Sequence, residues 1–283
     1  MLFRSAVLQM RKINICAMKE NRKRILELLQ RKGCLEIIES ESEDTIFAKT
    51  NTATQISIFE RNAALAENAL EIMQMYMPED KSIFSSLEGK RQISDSDYLE
   101  TVDNQQKTMS LVNKVIQQKK VIDDREAQII KNKEEIQALQ PWLSLDVPMN
   151  YQGTKKTGFM AGSITGSYNQ EQIILKVEQI EKMPEHVYIQ VIMADKYQTY
   201  ITCTYIKEHQ EAVEKALRQL GFSRPPVMAH HVPAVSIENR EKRIEEAVRE
   251  IEEIKAEIGH AAMMRNEVKQ IVDYYTVRAD KYR

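Results

Sequence analysis

The chain has 283 residues, with 40 Lys and Arg against 42 Asp and Glu and a formal net charge of -2. That balance excludes the strong field that would select nucleic acid or an anionic membrane. Charged residues are 29% of the chain, aromatics 6%, and Gly and Pro number 8 and 7, which suits long solvated helices joined to small cores. Cys16, Cys34 and Cys203 form no CxxC or His-Cys cluster, so free thiols in a reducing compartment are expected and no disulfide framework or zinc site. No run of about 18 apolar residues is present, and MLFRSAVLQMRK lacks a signal-peptide cleavage pattern, so the chain as written reads as soluble.

In chain order, KINICAM (12–18) is a β-branched run and predicts a strand. ENRKRILELLQRKG follows, with Ile25, Leu28 and Leu29 at helical spacing and Gly33 where the helix would stop. CLEIIES predicts a second strand and TIFAKT a short strand or loop, so the first lobe, 1–55, reads as β-α-β. A helix is predicted from about 56 to 77, ended by Pro78, and a polar loop from 78 to 96. Ser94 or Ser96 is suited to cap the helix that follows.

Residues 97 to 140 predict a long helix on the order of 65 Å, free of Pro and Gly. Val115, Ile122, Ile129 and Ile136 recur every seven residues along it, and Ile237, Ile244, Ile251 and Ile258 do the same on a second long helix, about 236 to 280. Val248, Ile254, Ala261 and Val268 are expected in neighbouring seam positions, and EKRIEEAVREIEEIKAE in solvated i,i+4 ion pairs. Stripes this narrow fit an antiparallel two-helix coiled-coil bar whose isoleucines bury against each other.

Between the helices, QPWLSLDVPMNYQGTKKTGFMAG (140–162) holds the sole Trp. Pro141 and Pro148 stop the first helix there, and Gly153, Gly158 and Gly162 permit turns and close packing. The chain reverses in this insert. GFMAGSIT predicts a strand, and NQEQIILKVEQI a helix with Ile173, Ile174, Val177 and Ile180 on one face. VYIQVIMA and YQTYITCTYI predict two strands joined by a DK turn. HQEAVEKALRQLGF predicts a helix with Val213, Ala216, Leu217 and Leu220 inward and Gly221 near its end, and PPVMAHHVP a possible last edge strand. The order β-α-β-β-α is that of a ferredoxin-like split lobe. The expected fold class is α+β, an elongated dumbbell of two small ferredoxin-like α/β lobes on a helical bar. Its parts are a proximal lobe (1–55), outgoing helices (56–140), a distal lobe (141–235) and a returning helix (236–283).

Motifs for catalysis are missing. There is no GxxxxGK[ST], HExxH, GxSxG or EF-hand loop, and AGSITGS lacks the phosphate-binding lysine. His186, His209, His230, His231 and His260 show no ligand spacing, and Asp123 and Asp124 sit on a long helix with no pocket around them. Neither catalytic, cofactor nor metal residues are assigned. From helical phase, Lys207, Glu208, Gln210, Glu211 and Arg218 are the candidate partner-binding residues of the distal lobe.

MRKINICAM, ENRKRILELLQRKG with its L-x-x-x-G ending at Leu29 and Gly33, CLEII, PWLSLDVP (141–148) and GFMAGSI occur in an order that resembles the N-terminal part of subunit I, the a subunit, of V-type/A-type ATPases. The resemblance spans the whole chain by motif order. It implies a non-catalytic stator on the cytoplasmic side of the membrane, resisting torque. Implied partners are the peripheral-stalk heterodimers of E- and G-type subunits and the central-stalk cap of C/d type, with the full-length protein also meeting the membrane rotor ring. The family's transmembrane domain and return segment have no counterpart here, so the proximal lobe is expected to lack strands. AAMMRNEVKQIVDYYTV is expected to expose Met and Tyr. A coiled-coil adaptor unrelated to the ATPase, or a small-molecule sensor using the ferredoxin-like lobe, would carry the same isoleucine stripes.

Overall fold

The computed structural model describes residues 10–36, 38, 51–79, 93–180 and 183–282. It divides into two compact units, Met1–Asn51 and Thr52–Arg283.

In the first unit a 3-10 turn, Lys19–Asn21, leads into α1, Arg22–Lys32. Gly33 ends α1 at φ 61, with its N–H donating to the Leu29 carbonyl at 3.3 Å. The strand expected over 12–18 is not formed, and Ile13 and Ile15 stand 56% and 54% exposed. A β-branched run favours extended backbone, but a strand exists only where a neighbour accepts its N–H groups, and none of the described residues does so. Of the second expected strand, residues 34–36 and 38 are irregular; its remainder and TIFAKT lie outside the described residues.

Among its described residues the second unit is made of helices and one sheet. Its helices are α2 (Ala53–Tyr76), α3 (Asp95–Asp103), α4 (Gln105–Leu139), α5 (Gln170–Glu178), α6 (Gln210–Gln219), α7 (Pro233–Ala261) and α8 (Arg265–Tyr282). Ser94 caps α3: its Oγ accepts from Asp97 N–H at 3.1 Å and Asp97 Oδ2 accepts from Ser94 N–H at 3.3 Å. The outgoing helix expected over 97–140 therefore occurs as α3 and α4, broken at Asn104, and the returning one as α7 and α8, broken by a 3-10 turn over Ala262–Met264. α4 ends before Pro141, which sits in the 3-10 turn Gln140–Trp142.

α4 and α7 run antiparallel over about 40 Å. Gln118 donates to Glu257 at 2.6 Å, Arg125 donates from Nε and Nη2 to the two carboxylate oxygens of Glu250 at 2.6 and 3.2 Å, and Arg240 donates to Glu135 at 2.7 Å. Each step along α4 is matched by an equal step back along α7, so a single register holds throughout. The expected two-helix bar is corrected over its lower half, where α2 packs against α4 and α8. Ala63, Ala66 and Ala69 on α2 leave room for close approach, and Ile72 and Met73 fill the groove beside Val112, Val115, Ile122, Ile251, Ile258, Val268 and Ile271. Tyr274 and Tyr275 are buried in this bundle, contrary to the expected exposure, whereas Met263 is 72% exposed.

Buried Arg265 opens α8 and ties it to α2. Its Nη2 donates to the carbonyls of Met73 and Met77 at the C-terminus of α2, and its Nη1 pairs with Glu79 at 3.3 Å. The hydrogen bond from Lys269 and that from Arg265 hold the Glu79 carboxyl below its ordinary range.

At the far end of the α4–α7 hairpin lie β1 (Thr157–Thr165), β2 (Tyr188–Ala194) and β3 (Gln198–Ile206) in the antiparallel order β1-β3-β2. One sheet face carries Met160, Ile164, Ile189, Ile201, Cys203 and Tyr205 against α5 and α6. The opposite face sets Phe159, Ala161, Ile192 and Tyr200 against Leu139, Trp142, Met149 and Ile237. Gly162 is required here, since a Cβ on it would lie 2.2 Å from the Phe222 ring. Ile173, Val177 and Val213 face the core as expected, but Ile174 is 44% exposed, one helical step off the stripe. PPVMAHHVP forms no strand. A single backbone pair, Ser163 with Ser223 at 2.9 Å in both directions, precedes Pro225 and Pro226, which have no N–H to continue a ladder.

Candidate docking surface

The seam residues fall into three places. Val115, Ile122, Ile251 and Ile258 lie in the three-helix core, and Ile129 packs partly buried against it. Ile136 and Ile237 join the cluster around Trp142 at the hairpin tip. Ile244 is half-buried between the two. Val248 leaves the seam, 47% exposed, and Ala247 takes the inward position at 6%.

Lys207, Glu208, Gln210, Glu211 and Arg218 are all exposed, at and after the 3-10 turn that opens α6. Glu214 draws two of them together: Gln210 Nε2 donates to it at 3.2 Å and Arg218 approaches it at 3.7 Å, while Arg224 adds a contact at 3.2 Å. This is a polar, largely self-satisfied surface, and exposed pairs of this kind contribute well under about 1 kcal/mol each.

An apolar exposed surface of the lobe lies on the other sheet face. Cross-strand register places Phe159, Thr204 and Tyr188 in one row across β1, β3 and β2. Tyr151 stacks at a tilt on Phe159, with ring centroids 5.6 Å apart. Tyr188 is 63% exposed, and Met193, two rows on and beside Tyr200, is 45% exposed. The hairpin tip covers part of this face, with Leu139, Trp142 and Met149 against Phe159, Ala161 and Tyr200 and the Trp142 ring edge-on to Tyr200 at 5.6 Å. The uncovered part is an aromatic ledge that pattern reasoning missed. Its signal was available in VYIQVIMA, where Tyr188 and Gln190 share a face opposite Ile189 and Val191.

The outer edge of β2 is closed by a side chain. Gln170, at the start of α5, donates from Nε2 to the Ile189 carbonyl at 2.8 Å and accepts from Val191 N–H at 2.7 Å. The amide thus makes the two bonds that another strand would make. At the β2–β3 turn, Asp195 accepts from Tyr197 and Gln198 N–H at 2.7 Å, and these backbone bonds hold its carboxyl below the usual range.

Among the described residues no group of three or more His, Cys, Asp or Glu is placed to hold a metal. His230 is tied to Asn150 at 2.8 Å, and Asp123 is paired with Lys119 on the surface of α4. Burial pushes the Cys203 thiol up to about 12, whereas Cys16 and Cys34 are exposed. A thiol-reactive reagent should therefore label two cysteines promptly in the folded chain and Cys203 only on denaturation; mass spectrometry of the labelled protein checks this.

The fold so defined is a helical hairpin, thickened by a third helix over its lower half, with a small three-stranded α/β lobe at its tip. It is similar to the crystal structure of the cytoplasmic N-terminal domain of subunit I, homolog of subunit a, of V-ATPase. The likeness has a TM-score of 0.52, covers 93% of this chain and 84% of that one, and the two sequences are 13% identical. No family model and no curated protein matches the sequence. No described helix is long and apolar enough to cross a membrane.

Proposed function

We propose that this chain is a stator element of a rotary V-type/A-type ion-translocating ATPase, non-catalytic and held on the cytoplasmic side of the membrane. The observation that carries this is the fold likeness over 93% of the chain, which takes in the hairpin and its lobe together. On this reading the lobe is ferredoxin-like, with its fourth strand reduced to the Ser163–Ser223 pair, and 1–55, 56–140, 141–235 and 236–283 are the functional segments. The hairpin transmits load between docking sites. Its fixed register of ion pairs and its seam resist sliding, and the third helix resists bending over the lower half. The partners are the peripheral-stalk heterodimers and the central-stalk cap, and the aromatic ledge is the surface by which the lobe grips a helical stalk.

The test is a titration of the chain against the purified peripheral-stalk heterodimer from the same source, with light scattering for mass. Saturable binding is expected. Tyr188→Asp should weaken it by about tenfold or more, as removal of a central aromatic contact does, and Arg218→Glu should change it little. If Arg218→Glu weakens binding and Tyr188→Asp does not, the polar face of α6 is the contact instead. Absence of binding by the folded chain would overturn the stator reading in favour of a coiled-coil adaptor of another system.

A further inference from the structure

The α4–α7 hairpin has two sides, and α2 covers one of them only over its lower half. At the end of α2, Ile72 and Met75 line a shallow hollow with Ile116, Lys119 and Asp123 of α4, and the Tyr76 phenol, pushed up chiefly by burial, feels the charges of Lys119, Glu126 and Asp123 of α4 and Lys255 of α7. Those neighbours mark which side of each helix α2 occupies. Three and four residues make one turn, so the same side continues beyond α2 through Ile130 and Glu134 on α4, and through Val248, Glu245 and Glu241 on α7. The ion-pair register of the hairpin sets Ile130 and Val248 within about one turn of each other along the axis.

This upper stretch is apolar along its middle and acidic at its rims. Ile130 is 59% exposed and Val248 47%, with half-buried Ile244 between them. Glu126, Glu134, Glu241 and Glu245 border them, all exposed. The lysines lower down are already neutralised, Lys119 by Asp123 and Lys255 by Glu252 at 2.9 Å, which leaves Lys133 as the base within the stretch. The opposite side of the same hairpin is different in kind: a groove lined by Arg125, Lys131, Arg243, Glu246 and Glu250, of mixed charge and without an exposed large apolar residue.

We infer that the acid-rimmed side of the hairpin beyond the end of α2 is a docking groove for a basic amphipathic helix of a partner protein. The partner helix lies end to end with α2 and completes the three-helix cross-section. A helix fits because α2 already shows how this side is filled, with Ala69, Ile72 and Met73 laid between α4 and its antiparallel partners. A basic one fits because four glutamates face it. The stretch from Asp123 to Leu139 is long enough for a helix of about 16 residues. This inference is independent of the stator proposal and of the aromatic ledge.

The probe is a fluorescein-labelled 16-residue helical peptide with leucines at i, i+3 and i+4 spacing and flanking lysines, titrated into the full chain by fluorescence anisotropy. The counterpart with glutamate in place of lysine is the control. The lysine peptide should bind, more weakly as salt rises, and the glutamate peptide at least about tenfold more weakly. Ile130→Lys and the double variant Glu126→Lys, Glu245→Lys should each cut binding by about tenfold or more, and Glu246→Lys on the opposite side should not. Ile130, Glu126 and Glu245 are all exposed, and unchanged circular dichroism confirms that the variants fold. Equal binding of the two peptides, or indifference to these variants, overturns the inference. So does a concentration-dependent dimer that Ile130→Lys abolishes, since the occupant is then a second copy of this chain.

Discussion

Ile122→Asp should destabilise the helical section by about 4 kcal/mol or more, read as a fall in the urea midpoint followed by circular dichroism. Ile122 is fully buried where α2, α4 and α7 meet, in the same cluster as Val115, Ile251 and Ile258. The substitution removes the packing of a large aliphatic side chain, which alone costs about 2–5 kcal/mol. It also places a carboxylate where no cation lies within the cluster, so the charge is either desolvated or protonated at further cost. A small protein has about 5–15 kcal/mol in total, so the variant should be marginal at room temperature. Ile251→Asp should act alike, because Ile251 is in the same cluster at 6% exposure. Val248→Asp, three residues away and largely exposed, should cost under about 1 kcal/mol. Equal losses at Ile122 and Val248 would mean that the register of the hairpin is different.

Trp142→Ala should cost about 3–5 kcal/mol, and the cost should fall on the seating of the lobe. Trp142 is 1% exposed and fills the space between the end of α4 and the sheet, against Tyr200, Leu139, Met149 and Ile237. Its neighbours Leu139, Leu145 and Met149 are themselves buried and packed, so the cavity left behind would have no ready filler. Hydrogen exchange resolved by segment checks the location as well as the size. Amides of β1 and β3 should exchange faster, while those of α2 and α8, in a separate cluster, should keep their protection. Uniform loss of protection through α2 and α8 would show that the tip and the bundle are one cooperative unit.

The order of elements after residue 52 was legible because it is written in local terms. Seven-residue spacing gave Ile122 and Ile251, Pro141 gave the end of α4, and strand alternation gave β1, β2 and β3 close to their observed limits. What failed depended on neighbours. Ala247, not Val248, stands on the strict seven-residue repeat with Ile254, Ala261 and Val268, and the larger valine one position on masks it because alanine is a weak marker of a seam. The pairing of α2 with α8 left no periodic signal, because its contact stripe is largely alanine and alanine marks neither inside nor outside. KINICAM has the composition of a strand, but composition does not supply the strand beside it. The same limit applies to the candidate docking surface. Lys207, Glu208, Gln210, Glu211 and Arg218 were identifiable as exposed from helical phase alone. Tyr188 on the ledge was not, since its exposure depends on how much of the sheet the hairpin tip happens to cover.

The Gln170 amide on the β2 edge has a consequence for how such a lobe could change partners over evolution. With the backbone there already spoken for, growth of the sheet on the β2 side would first have to displace two good hydrogen bonds. On that side recognition is left to side chains standing on the sheet face. Backbone pairing is indifferent to sequence, whereas a surface of side chains can be rewritten one position at a time. A lobe sealed in this way can therefore acquire or lose a ligand by substitution at Tyr188 or Met193 without touching the bonds that keep it folded.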